Sequence, residues 1–121
     1  MNATLQGKAV FIVEDDVLSA LTMKDLVESL GCEVAGHART LDEARALTER
    51  TAFDIALLDV DLDGETSYGL AQELAVREVP FVFTTGQAEG VPAWCENRPR
   101  VLKPFSGTAL ERMMVASLAH P

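Results

Sequence analysis

Short apolar runs alternate along this chain with longer segments of helical spacing, and that alternation constrains the fold more than any other feature. KAVFIV (8–13), DIALLD (54–59) and PFVFT (80–84) are apolar through their middles, as strands covered on both faces must be. Strands separated by helices run parallel, because returning the chain to the same edge takes a dozen residues or more. An α/β domain built from repeated βαβ units follows. The 121 residues leave room for one core and no second, so a single domain spanning 1–121 is expected.

The helices carry their own start and stop signals. Ala20, Met23, Val27 and Leu30 recur at helical intervals between a capping Asp16 and a terminating Gly31. EVAGHA (33–38) reads as a less apolar strand, after which Thr40 and Glu43 form a capping box for a helix reaching about Arg50. Leu70, Leu74 and Ala75 mark a third helix, to about Glu78. RVL (100–102) is a short last strand, and Ser106 starts a final helix with Leu110, Met113, Met114 and Leu118 on one face. Between Gly86 and Pro99, the breakers Gly90 and Pro92 predict that the fourth helix is short or weak despite Trp94.

Charge and cysteine usage exclude several function classes. Nineteen acidic against ten basic residues give a net charge of −9, a field that repels phosphate backbones and anionic lipid and argues against direct nucleic-acid or membrane partners. Cys32 and Cys95 belong to no CxxC or Cys/His pattern, so neither zinc nor a disulfide scaffold is indicated. The longest apolar runs are too short to cross a bilayer and no signal-peptide pattern opens the chain, so a cytoplasmic protein is expected.

In an open parallel sheet, ligands bind beyond the carboxyl ends of the strands. The first strand ends in Glu14, Asp15 and Asp16, the third in Asp59, the fourth in Thr84 and Thr85, and the fifth in Lys103. Several carboxylates on one rim disfavour each other's ionisation and call for a cation. Magnesium suits them, since it takes oxygen ligands, keeps several waters and uses one or two carboxylates with a phosphoryl group. A calcium loop on DVDLDG (59–64) fails, because its twelfth position must be a bidentate glutamate and is Leu70. Asp59 and Asp61 also imitate the two-apart aspartates of haloacid-dehalogenase-like phosphatases, with Lys103 as their lysine; there the acidic metal pair typically follows the lysine, whereas Glu14 and Asp15 precede everything here.

FIVEDD, LLDVDLDG, FVFTTG and LKPF, in that order and at those strand ends, resemble the motif set of the response-regulator receiver domains of two-component signalling, over essentially the whole chain. The resemblance implies a doubly wound five-stranded parallel sheet of flavodoxin-like order 2-1-3-4-5 with helices on both faces. It implies that Asp59 is the phosphoacceptor, Asp15 a direct Mg²⁺ ligand, Glu14 the second acidic residue, and Asp61 a ligand through its backbone carbonyl. Thr85 matches the hydroxyl that bonds a phosphoryl oxygen, Lys103 the ammonium that pairs with the phosphoryl group, and Pro104 the residue after a cis peptide bond. The implied partners are a histidine kinase or histidine phosphotransfer protein upstream and a protein contact downstream, or else the chain drains phosphate. Such a chain is a switch with slow self-dephosphorylation and not a turnover enzyme.

Departures from the family pattern are informative. The acceptor loop is DVDLDGETSYG in place of a DxxMPxMDG style, and Arg100 stands three positions before the lysine, where most receivers carry an aromatic. FTTGQ resembles the Phe-Ala-Thr-Gly-Tyr segment of an alpha-proteobacterial subgroup that often stands alone, with Thr84 and Gln87 differing. Among the other polar residues, Asp16 is read as a helix cap, Asp63 and Glu65 as loop charges, His37 as a strand-end or surface residue, and Thr84 as facing away from the site. The rival readings are an aspartate-nucleophile phosphatase and a phosphorylation-independent interaction module.

Overall fold

The computed structural model describes residues 3–86, 92, 94 and 98–119. In chain order the elements are β1 (Ala9–Val13), α1 (Val17–Ser29), β2 (Glu33–Ala38), α2 (Leu41–Arg50), β3 (Ile55–Asp59), β4 (Asp61–Leu62), β5 (Glu65–Thr66), α3 (Tyr68–Val76), β6 (Phe81–Thr85), β7 (Arg100–Leu102) and α4 (Gly107–Ala119). Five strands form one parallel sheet in the order β2-β1-β3-β6-β7. This is the flavodoxin-like order 2-1-3-4-5, with β6 and β7 as the fourth and fifth strands.

The continuous apolar runs exist because each strand feeds two cores. Val10 and Ile12 of β1, with Leu57 and Val82, pack against Met23 and Val27 of α1 and Leu110 and Met114 of α4. Phe11 and Val13, with Leu58 and Phe83, pack on the opposite face against Leu41 and Ala44 of α2 and Leu70 and Leu74 of α3. Each of the larger side chains, Val, Leu, Ile, Phe or Met, contributes about 1.5–3 kcal/mol when fully buried, before the cost of ordering it. Gly36 of β2 is required by this packing: a Cβ there would lie 2.8 Å from the Phe11 ring, where the β1–β2 register shifts.

The helix signals operate as polar caps. The Asp16 carboxylate accepts from the Ser19 N–H at 2.8 Å, the Thr40 hydroxyl from Glu43 N–H at 3.1 Å, and the Ser106 hydroxyl from Ala109 N–H at 3.1 Å. Glu43 reaches back to the N–H of Arg39, one residue before the cap, at 2.8 Å. The third helix ends at Val76, two residues short of the expected Glu78, which adopts φ 58 as the chain turns toward β6. The fourth strand is shifted by one residue, so Thr85 is its last member instead of the residue after it. Met114 is fully buried, with Met113 packed partly against the same core. Cys32 is buried with its thiol directed at the Leu5 carbonyl, 3.3 Å away, and burial raises its pKa. The weak fourth helix expected across 86–99 lies mostly outside the described residues, as does Cys95.

One element is absent from the sequence reading. β4 and β5 form a separate antiparallel hairpin, with Asp61 opposite Thr66 and Leu62 opposite Glu65. Its turn residues Asp63 and Gly64 have φ 49 and 86, the two positive values that a two-residue type I′ connection demands. The Asp-Gly pair is the strongest short-range signal for such a turn, but strands of two residues are too short to announce themselves by alternation.

Candidate functional site

The strand ends deliver the polar side chains to one rim. β1 hands over to Glu14, whose N–H donates to the Ala38 carbonyl at 3.0 Å and whose side chain is wholly buried. β3 ends on Asp59, also buried. β7 leads to Lys103, whose N–H donates to the Thr85 carbonyl at 2.7 Å before a cis bond to Pro104. Lys103 Nζ donates to Glu14 Oε1 at 2.6 Å and lies 3.4 Å from Asp59 Oδ2. Oxygens of Glu14, Asp15 and Asp59 all lie within 4.8 Å of one another.

Neighbouring groups hold this cluster in place. Asp15 Oδ2 accepts from the N–H of Asp63 at 3.0 Å, so the hairpin turn is docked onto the acidic rim. The backbone of Asp63 therefore serves the site, a role that its reading as a loop charge misses. His37 Nε2 meets the Glu14 carbonyl at 2.9 Å and buttresses the backbone there. Asp16 caps α1, as expected, and its N–H donates to Glu14 Oε2 at 3.3 Å. The Asp61 side chain is exposed and its carboxylate is not among the three that converge, which confines any part it plays to its backbone.

Electrostatics follow from crowding. Burial, then hydrogen bonding and charge repulsion from Glu14, push the Asp59 carboxyl up to about 7, with Lys103 opposing. Burial alone would raise Glu14 too, but its hydrogen bonds to Asp59 and Lys103 and the ammonium's charge bring it below its ordinary value. The asymmetry has a geometric cause: the ammonium sits closer to Glu14 than to Asp59. Lys103 itself is desolvated, yet the two carboxylates outweigh burial and hold its pKa above the usual lysine value. Three ionised carboxylates beside one ammonium carry a net charge of −2. An all-oxygen donor set with that charge fits Mg²⁺, which Glu14, Asp15 and Asp59 would hold.

The β6 side of the rim is arranged differently. Thr85 is buried at the end of β6, with Leu102 of β7 as its register partner. Thr84 is the register partner of Asp59, so the two side chains leave the sheet on the same face. Thr84 is wholly buried in the sheet surface, as expected, but the separation from the site by alternation is corrected: alternation parts Thr84 from Thr85, and Asp59 lies on the Thr84 face. Among the described residues, the buried Thr84 Oγ1 and Ser67 Oγ have no hydrogen-bond partner, and neither does Arg100 Nη1. A groove of about 430 Å³ opens beside Lys103, lined by Leu18, Met23, Pro104 and Phe105 among others. Val17, Leu18 and Leu21 are exposed on the neighbouring surface of α1.

A buried aspartate, two further acids and a lysine at the carboxyl ends of a 2-1-3-4-5 parallel sheet define a receiver-type site. Residues 10–96 match the response regulator receiver domain, and the chain belongs to that family. It is similar to the phyllosphere-induced regulator PhyR of Methylorubrum extorquens, with 36% identity over 83 residues, 66% of this chain and 31% of that protein. The chain thus matches only about a third of that regulator's length. Among solved structures, SdrG from Sphingomonas melonis superposes with a TM-score of 0.82 at 35% identity, covering 98% of this chain and 99% of that one. The response regulator PhyR from Brucella abortus gives 0.78 at 30% identity, covering 93% of this chain and 48% of that one.

Proposed function

We propose that this receiver domain is a phosphorylation switch in which Asp59 accepts a phosphoryl group from a phosphohistidine in a Mg²⁺-dependent reaction. The observation that carries the reading is the convergence of Asp59 with Glu14, Asp15 and Lys103 on one rim. An ionised Asp59 oxygen attacks phosphorus in line, the new O–P bond forms as the P–N bond to the donor imidazole breaks, and the imidazole nitrogen leaves with the electron pair. Mg²⁺, when bound, supplies charge neutralisation for the phosphoryl oxygens. Lys103 does the same from the protein side, and its ammonium also favours the ionised Asp59 that attack requires. Thr85, at the adjoining strand end, offers a hydroxyl to the phosphoryl group; Asp61 would contribute its backbone carbonyl to the metal.

The donor is a histidine kinase or a histidine phosphotransfer protein. The apolar surface of α1 and the groove beside Lys103 suit a protein donor, because they border the rim on which Asp59 opens. Output is a contact with another protein in the cytoplasm, the alternative being a drain for phosphate. A related PhyR is described as an anti-anti-sigma factor, which supports a protein partner for this chain as well. The FTTGQ segment and the likeness to SdrG support membership of the alpha-proteobacterial stand-alone group. The product persists on Asp59 and is lost slowly, so the chain is not a turnover enzyme.

Incubation with a small phosphodonor and Mg²⁺ is expected to add the mass of one phosphoryl group, and D59N is expected to take none. Equal labelling of both would overturn the assignment. Repeated turnover of phosphate esters would instead favour an aspartate-nucleophile phosphatase.

A further inference from the structure

We propose that Arg100 is a second cationic ligand of the phosphorylated site, its guanidinium bonding a phosphoryl oxygen from the Thr85 side; this rests on the phosphoacceptor reading above. The first observation is an orphaned donor. Arg100 Nη1 is buried and has no hydrogen-bond partner among the described residues. Other arginines are provided for: Arg45 Nε pairs with Glu73 Oε2 at 3.1 Å, Arg77 Nη2 donates to the Thr48 carbonyl at 3.3 Å, and Arg98 lies over the Phe81 ring at 5.4 Å. A buried donor without an acceptor is costly, more so on a charged group. Arg100 is therefore a donor short of an oxygen.

The second observation is where it stands. Arg100 is in register with Phe83, so it leaves the sheet on the face opposite Asp59 and Thr84. Thr85 lies on the same face as Arg100, one strand across and two residues further toward the rim. Strand spacing and rise put their Cα atoms about 8 Å apart, a span that an extended arginine side chain can bridge toward the strand ends. In the resting state Glu14 and Asp59 meet Lys103, and neither is bonded to Arg100 Nη1.

Phosphorylation changes that balance. A phosphoryl group on Asp59 adds about −1.5 to −2 charge and three acceptor oxygens at the end of β3, which lies beside the end of β6. Lys103 meets this anion from one face of the sheet, and Arg100 meets it from the other. The planar guanidinium fork suits phosphate oxygens better than a point charge does. Arg100 then gains the acceptor it lacks, and the start of β7 becomes tied to the phosphorylation state.

The test uses beryllofluoride as the phosphoryl mimic, titrated calorimetrically at saturating Mg²⁺ into wild type, R100M and R100K. R100M removes the partnerless buried nitrogen but keeps the stem, so it is expected to fold at least as stably as wild type. Its beryllofluoride affinity is expected to fall about tenfold or more, the worth of a charge-assisted hydrogen bond. R100K is expected to recover part of that loss, and Mg²⁺ affinity without beryllofluoride is expected to stay within about twofold in both, on the same scale. Unchanged beryllofluoride binding by R100M, or an equal loss of Mg²⁺ binding, would overturn the role of Arg100 while leaving Asp59 as acceptor. Failure of wild type itself to bind beryllofluoride would remove the phosphoacceptor reading, and the inference with it.

Discussion

The two halves of the strand-end rim are built to opposite standards. On the β1 and β3 half, Glu14 is bonded to Lys103 and to the N–H of Asp16, Asp15 to the N–H of Asp63, and Asp16 to the N–H of Ser19. On the β6 and β7 half, Thr84 Oγ1 near the end of β6 and Arg100 Nη1 from the start of β7 are buried without partners among the described residues. Native interiors leave few polar groups in that state. The satisfied half is preorganised to hold charge where it already is. The unsatisfied half retains hydrogen-bonding capacity for a group that arrives later, which is where a switch would keep it.

The largest way to break this comparison is K103M. It removes the ammonium and strands the wholly buried Glu14 carboxylate, at a cost of about 2–3 kcal/mol after allowance for the partial exposure of the lysine. Urea unfolding in chelator should show the loss, and added Mg²⁺ should recover part of it. An unchanged midpoint would mean that the satisfied half is no better held than a surface ion pair.

D59N should act in the other direction and with a pH dependence. Asp59 titrates at about 7 in the folded chain against an ordinary value of 3.8, so between those values the unfolded chain has released a proton that the folded chain keeps. Wild type therefore loses stability as pH rises through that window. Metal-free D59N should be more stable than wild type by about 2 kcal/mol above neutrality, with the gain gone by about pH 4. A gain independent of pH would trace the effect to something other than crowded carboxylates.

The smallest effect sharpens the unsatisfied half. T84V keeps the shape and deletes the partnerless hydroxyl, so stability should rise by about 1 kcal/mol. A fall of that size in thermal or urea unfolding would show that the Thr84 hydroxyl has a partner in solution.

Much of the site was legible because its residues follow directly after apolar runs. Glu14, Asp15, Asp59 and Lys103 are each named by a strand end, and strands that run parallel must place those ends together. Thr84 was misjudged because alternation tells which neighbours on one strand part company, but not which face an aspartate on another strand occupies. Asp63 was undervalued because its contribution is a main-chain N–H, which carries no residue-type signature. The orphaned nitrogen of Arg100 was equally hidden: the sequence shows an arginine where an aromatic is usual, and only packing tells whether its donors find oxygens.

Periodicity and capping are local, so the amino-acid order alone determined the class of fold, the helix starts at Asp16 and Thr40, and the rim on which the charges meet. Register and docking are not local. The pairing of Asp59 with Thr84 and the bond from Asp63 to Asp15, 48 positions apart, were decided by the tertiary structure. They depend on how strands slide past one another and how a short hairpin settles on its neighbour, which no window along the chain contains.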